Sequence, residues 1–472
     1  MALASAWSLG QESRAMQVGK LLGPDVRVAL VSEPEGVSEA LQELHVQDLA
    51  ELLAELSEPE VAQIVGMLPI DVSADVLCRM ESDLAAHVLG QLAVSRAAQV
   101  LRAMAADDRA DLVQQLPAEL AERVLQQLGT RAPEVAEETR ALVSYGEDTA
   151  GGIMTTEYVA LGPELTVGQA LERVRKIGRQ RALEVVYYAY VVAYERLIGV
   201  VSLRDLLLAR DNEIVSDIMT SNVVSVQAST DQEEVARTIT KYDLAAMPVV
   251  EGDGRLIGIV TIDDVVDVIR EEASEDQQKM AGLVPTEEKY FDVGFRANVR
   301  SRVTWLTVLF VLQFLTTTVM KMFEGQVTMV MDLILFVPLI ISSGGNSGSQ
   351  SSSLIIRALA LGQMTPRDWP RVLAKEAQIG LALGALLSFA GFARAILGSA
   401  SQVAYAMAFT VAIAVVAVVT LGTLVGSLMP LAIKRLGLDP AVSSTPFVAS
   451  IVDVLGLCVY FSVARLVFAI LL

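Results

Sequence analysis

Cysteine, histidine and aromatic residues are scarce in this chain. Of 472 residues two are Cys and two are His, and aromatics make up 5%. Cys78 falls in an amphipathic helical pattern and Cys458 in a long apolar run, so a disulfide is not expected and a reducing compartment fits. His45 and His87 lie far apart and give no metal-ligand spacing. No Walker A loop, His/Cys metal cluster or nucleophile–base constellation is readable, which argues against an enzyme. The first thirty residues lack a basic stretch followed by an apolar one, so no signal peptide is expected. Positive charge is short too: 36 Lys/Arg stand against 56 Asp/Glu. The deficit is uneven. Residues 291–472 hold 12 basic and 7 acidic residues, which leaves 24 and 49 for residues 1–290. An apolar C-terminal third of net charge +5 thus follows a soluble part of net charge −25. Such a part repels nucleic acid and suits solubility or divalent-cation binding.

What is present is organised in blocks. Leu56, Leu68, Met80, Leu92, Met104, Leu116 and Leu128 recur every 12 residues. Four residues before them lie Leu52, Ile64, Val76, Val88, Val100, Leu112 and Val124, and three before lie Leu53, Val65, Leu77, Leu89, Leu101, Val113 and Leu125. This is the stripe of short amphipathic helices, none able to bury its face alone, so the pattern predicts an all-α superhelical solenoid over 35–132, after a tail of 1–34.

A tandem repeat follows. Ile153-Met154-Thr155 returns as Ile218-Met219-Thr220, and Leu197-Ile198-Gly199-Val200-Val201-Ser202-Leu203-Arg204-Asp205 returns as Leu256-Ile257-Gly258-Ile259-Val260-Thr261-Ile262-Asp263-Asp264. Each copy, 148–210 and 211–270, reads as a strand, a helix, two strands and a helix. The Gly-strand-Ser/Thr-x-x-Asp ending resembles the CBS domain, which pairs in tandem and commonly binds adenosine nucleotides. Ser202 or Thr261 can cap the next helix beside a phosphate, and Asp205 or Asp264 can accept from ribose hydroxyls. The first copy's turn, Val192 to Arg196, departs from the pattern. An acidic connector, 271–299, carries on from a helix in which Asp264, Asp267 and Glu271 share a face; Glu287 and Glu288 extend it.

Residues 300–472 read as five membrane segments: Val303–Phe323, Thr328–Ile356, Ile379–Leu397, Val403–Met429 and Phe447–Leu472. Basic residues before the first, between the second and third, and between the fourth and fifth are expected to place the soluble part in the cytosol and the C-terminus outside; loops on the other side carry little, Lys321 with Glu324, and Arg394. The second segment contains Pro338 and a polar run, 342–353, with Gly344, Gly345, Asn346 and Gln350. It reads as a Gly-rich break lining a path, since lipid satisfies none of it. In the fifth, Pro446 is expected to free a carbonyl one turn back. Asp453, two turns on, is a carboxylate at membrane depth and so a functional-site expectation.

The order of these blocks, with Gly344-Gly345-Asn346-x-Gly348-x-Gln350, Arg357-Ala358-Leu359-Ala360 and Asp439-Pro440-Ala441…Pro446…Asp453, resembles the MgtE magnesium channel family over residues 35–472. The resemblance implies a multidomain membrane protein: a solenoid, an α/β tandem CBS pair, a connector (plug) helix and a five-helix transmembrane pore in the plasma membrane. It implies a homodimer with the second and fifth membrane helices lining a Mg²⁺ pore at Asp453, Asn346, Ala449 and Asp439. It implies a cytosolic Mg²⁺ sensor at Asp108, Asp231, Asp243, Asp264, Asp267, Glu272, Glu275 and Asp276. Family members can also bind ATP at the first repeat, which here implicates Tyr187, Tyr188, Ser202, Arg204 and Asp205. The alternatives are a CBS-regulated transporter of Co²⁺, Mn²⁺ or Ni²⁺, or of an anion or organic solute; the last needs a basic path that the membrane segments lack.

Overall fold

The computed structural model describes residues 26–27, 30, 34–180, 186–286, 290, 293–323, 332–398 and 404–471. Most of the N-terminal tail, Glu287, Glu288, Glu324 and the segment edges Thr328, Val403 and Leu472 lie outside the described residues. The chain divides into two units, one ending at Ile269 and the other running from Arg270 to Leu472.

The first unit begins with short helices: α1 (Pro34–Leu41), α2 (Val46–Ala54), α3 (Glu58–Met67), α4 (Ile70–Leu77), α5 (Ser82–Gln91), α6 (Val94–Ala103), α7 (Ala106–Gln115), α8 (Ala118–Arg131) and α9 (Pro133–Val143). From α2 to α8 the starts are spaced 12 residues apart, the period of the apolar stripe. The link explains the period. Leu68, Leu92, Met104 and Leu116 end their helices with ψ between 148° and 156°, and the following cap residues are also extended. Two extended residues after about ten helical ones turn the chain without a glycine. Each helix packs mainly on the second one along. The paired stripe residues, such as Leu52 with Leu53 and Val100 with Leu101, are fully buried. Helices this short are marginal alone, so packing holds them.

The tandem repeat comprises β1 (Val159–Leu161), α10 (Val167–Gln180), β2 (Tyr188–Ala193), β3 (Arg196–Ser202) and α11 (Leu203–Leu208), a short helix α12 (Val215–Ile218), then β4 (Val226–Gln227), α13 (Gln232–Tyr242), β5 (Ala246–Val250), β6 (Leu256–Thr261) and α14 (Ile262–Met280). In each three-stranded sheet the first pair is parallel and the second antiparallel. The Ile-Met-Thr motif works by exchange. Met219, opening the second copy, lies over Gly199 of the first, and Met154 lies over Gly258 of the second, where any Cβ would collide with the methionine sulfur. Thr220 pairs with Val200 and Thr155 with Ile259. Each copy thus completes the other. The atypical turn of the first copy is a two-residue hairpin in which Tyr194 and Glu195 both take positive φ, 51° and 65°. The second copy uses Gly254, at φ 84°, for the same reversal.

In the second unit α14 runs on from the repeat to Met280. Then come α15 (Phe295–Met322), α16 (Asp332–Ala360), α17 (Trp369–Gly398), α18 (Ala404–Arg435) and α19 (Thr445–Leu471). Among the described residues four helices are long and apolar enough to cross a membrane: α15, α17 with the turn before it, α18 and α19. The fifth expected segment, α16, is equally long, but its polar second half lowers its apolarity. It is also unbroken. The expected Gly-rich break is a continuous 29-residue helix, because its polar side chains find partners. Ser343 donates to the Leu339 carbonyl at 2.6 Å, Ser349 to Thr445 O and Ser352 to Ser443 O at 3.3 Å each, and Ser351 to the buried Glu376 carboxylate at 2.7 Å.

Candidate functional site

The glycines of α16 set how near its neighbours come. A Cβ on Gly422 would strike the Gly344 carbonyl, and one on Gly426 the Gly348 carbonyl. Backbone therefore meets backbone at two successive turns of α16 and α18, as small residues permit in membrane helices. The remaining polar side chains lie on another face. Ser342, Asn346 and Gln350, each one turn from the next, are exposed, whereas Gly344, Gly345, Ser347 and Gly348 are buried. Asn346 Nδ2 donates to Ser342 Oγ at 3.4 Å.

α19 brings Asp453 to this helix. Pro446 stands in its first turn, where the missing N–H costs nothing. The expected free carbonyl, on Val442, instead accepts from Ser444 N at 2.7 Å. The Asp453 side chain is half-buried. A Cβ built on Gly345 would lie 3.7 Å from Asp453 Oδ1 and 3.6 Å from the Ala449 Cβ. Asp453, Ala449 and Gly345 are thus brought together, while Asn346, the next residue of α16, is exposed and bonds Ser342. Gln313 on α15 joins the first three, its Nε2 donating to Asp453 Oδ2 at 3.2 Å. The sequence expectation does not include Gln313, although it is the one carboxamide in the first apolar segment. Nor does it include the buried Glu376, three residues before the third segment.

Asp439 lies elsewhere. It caps the short turn Pro440–Val442, accepting from Ala441 N at 2.8 Å, and it pairs with Lys279 of α14 at 2.7 Å. Lys279 also meets Glu275 at 2.8 Å. Burial pulls the Lys279 ammonium down, but Asp439 and Glu275 outweigh it and hold the group above the usual lysine value.

A second acidic group lies in the first unit. Asp107 and Asp108 occupy the first turn of α7 and Asp263 and Asp264 that of α14. Asp264 accepts from Thr261. Burial, then the charges of Asp107, Asp263 and Asp108, push Asp264 up to about 8. Burial also raises Asp108, partly offset by the Cys78 thiol and Arg79. Arg109, buried on the same helix, pairs with Glu138 at 2.9 Å. In the first repeat the matching motif has another fate: Ser202 donates to Asp205 Oδ2 at 2.6 Å in the open. There Tyr188 pairs with Ser202 and Leu203 N donates to Tyr187 O, so Tyr187, Tyr188, Ser202, Arg204 and Asp205 gather at one sheet end. Asp231 caps the start of α13 and Asp243, at φ 50°, its end. Asp267, Glu272, Glu275 and Asp276 follow along α14. Among the described residues no three His, Cys, Asp or Glu side chains converge to hold a metal. The acidic group is therefore a repulsive cluster of oxygens without a cage. That donor chemistry fits Mg²⁺, which binds through one or two carboxylates and keeps its waters.

Residues 337–463 match a family of divalent cation transporters (MgtE), 44–148 the MgtE intracellular N domain, and 150–212 and 215–271 the CBS domain. A magnesium transporter MgtE of Thermus thermophilus is 42% identical over 336 residues, 71% of this chain and 73% of the relative. One of Enterococcus faecalis is 35% identical over 334 residues, 71% and 72% of the two chains. A crystal structure of the cytosolic domain of the Mg²⁺ channel MgtE in complex with ATP aligns at 39% identity and a TM-score of 0.49, covering 52% of this chain and all of that one.

Proposed function

The chain belongs to the MgtE family of magnesium transporters, and on that premise we propose that it is a homodimeric channel that admits Mg²⁺ down its electrochemical gradient. The observation that carries the reading is the setting of Asp453: a half-buried carboxylate in an apolar helix, against Gly345 of α16. A carboxylate at that depth needs a cation, water or a partner. Mg²⁺ sheds water reluctantly. A path for it is best wide, polar and thinly charged, since a dry cage of many carboxylates would hold the ion too firmly to pass it. One carboxylate per subunit, doubled by a two-fold axis, meets that requirement. The exposed stripe Ser342, Asn346 and Gln350 supplies the polar wall.

Closure is assigned to the acidic cytosolic part, with the C-terminus outside. At high internal Mg²⁺, ions bridge Asp108, Asp231, Asp243, Asp264, Asp267, Glu272, Glu275 and Asp276 and hold the pore shut. At low Mg²⁺ uncompensated repulsion opens it, over the ~8–10 Å that salt leaves unscreened. Asp264, made costly to ionise by burial and by Asp107, supports this reading, because a divalent cation relieves that cost. ATP binding is assigned to the first repeat, where the exposed Tyr187 ring can stack on a base beside Arg204 and Asp205.

The test is Mg²⁺ flux in proteoliposomes of the full chain, with Co²⁺, Mn²⁺ and Ni²⁺ as competitors. Saturable, voltage-driven Mg²⁺ entry that slows when millimolar Mg²⁺ is placed on the cytosolic face is the expected result. Flux indifferent to that face rejects the gating.

A further inference from the structure

α15 is the least enclosed of the membrane helices. It packs mainly on α19, and Leu306, Phe310, Phe314 and Leu315 are exposed on its other side. Three ties make the seam. At one end Trp305 Nε1 donates to Ser444 Oγ at 2.8 Å, with its ring 5.8 Å from that of Phe447. At the other end Phe323 stacks on Phe461 with ring centroids 5.4 Å apart. The middle tie is polar: Gln313 to Asp453. One turn beyond, Thr316 Oγ1 is buried in the helix with no hydrogen-bond partner among the described residues.

Packing alone gives no reason for an amide here. A Leu or Met would fill the seam without placing an NH₂ in hydrocarbon, where an unmet donor is costly. The bond does orient the carboxylate. Oδ2 is occupied by the Gln313 amide, and Oδ1 is the oxygen that faces the Gly345 turn of α16.

We propose that Gln313 is a positioning residue for ion selection: it holds Asp453 so that a single oxygen, Oδ1, is offered to the passing cation. This rests on the reading of Asp453 as the ion-facing group. A one-oxygen contact suits a hydrated Mg²⁺, with its strict octahedral shell, whereas Ca²⁺ gains from two-oxygen grip and accepts irregular shells. Fixing the carboxylate therefore disfavours Ca²⁺ relative to Mg²⁺.

The experiment measures Mg²⁺ and Ca²⁺ flux in proteoliposomes for the wild type, Gln313→Met, Gln313→Asn and Asp453→Ala. Gln313→Met keeps length and packing but removes the donor; Gln313→Asn keeps the amide but falls short of Oδ2. Both are expected to raise the Ca²⁺-to-Mg²⁺ flux ratio about ten-fold, the scale of one charge-assisted hydrogen bond. A merely structural role leaves that ratio unmoved. Wild-type ratios in both variants, with Asp453→Ala inactive, overturn the inference and leave the pore reading intact. Wild-type Mg²⁺ flux in Asp453→Ala overturns both.

Discussion

Lys279 and Asp439 are 160 residues apart in the chain and 2.7 Å apart in the structure. The lysine stands near the end of α14, and the aspartate begins the turn between α18 and α19. The pair ties the acidic connector helix to the mouth of the helix that carries Asp453. Lys279→Met is expected to loosen the connector, since a partly buried pair of this kind contributes about 1 kcal/mol. Limited proteolysis at residues 270–286 reads it: cleavage speeds several-fold in Lys279→Met and slows again in the charge-swapped Lys279→Asp, Asp439→Lys protein. Equal cleavage in all three would show that the pair holds nothing.

Gly426 cannot gain a side chain. Its Cβ would occupy the Gly348 carbonyl, and backbone gives way less readily than a flexible side chain. Gly426→Ala is expected to lower the melting temperature of the detergent-solubilised protein, costing about 1–3 kcal/mol. Gly178, on the open face of α10 with nothing within 4 Å, is the control; Gly178→Ala stabilises slightly or not at all, because alanine is the better helix former.

Asp264 is expected to make the first unit sensitive to pH. Its carboxyl is raised from 3.8 to about 8 by burial first and by Asp107 next. Between those values the folded form keeps a proton that the unfolded chain has released. The folded state binds more protons, so stability falls as pH rises from about 4 to 8. If Asp264 belongs to the proposed Mg²⁺ sensor, Mg²⁺ competes with that proton and its stabilising effect grows over the same range. Thermal melts of the full chain at pH 6 and pH 8, with and without 10 mM Mg²⁺, are expected to show a larger Mg²⁺-induced rise at pH 8. In Asp264→Asn the pH dependence of that rise flattens. A Mg²⁺ effect that is equal at both pH values contradicts this.

The sequence made much of this architecture legible. The 12-residue stripe marked the helix starts from Val46 to Ala118, because one buried face per short helix leaves a periodic record. The repeated Ile-Met-Thr and Gly-strand-Ser/Thr-x-x-Asp segments marked the two sheets. That Met154 serves the second copy and Met219 the first was not legible, since exchange between like partners leaves each motif unchanged. The run around Gly344 looked like a break because composition alone omits the partners Thr445, Ser443 and Glu376 that satisfy its serines. Pro446 likewise looked like a breaker, although the first turn of a helix tolerates proline. Asp453 stood out as a charge among apolar residues. Gln313 did not, because a single amide in an apolar segment gains meaning only when the carboxylate it serves is seen 140 positions away.

In the proposed mechanism Asp453 meets the ion. Asp453→Asn keeps the size and an acceptor oxygen while removing the charge, so the helix packing against Gly345 and Gln313 is preserved. Initial Mg²⁺ uptake by proteoliposomes, at matched protein content and with an unchanged melting temperature, is the direct measurement. A fall of at least about 100-fold is expected, because the substitution removes the one charge proposed to face a divalent cation at membrane depth. Uptake at the wild-type rate would contradict it.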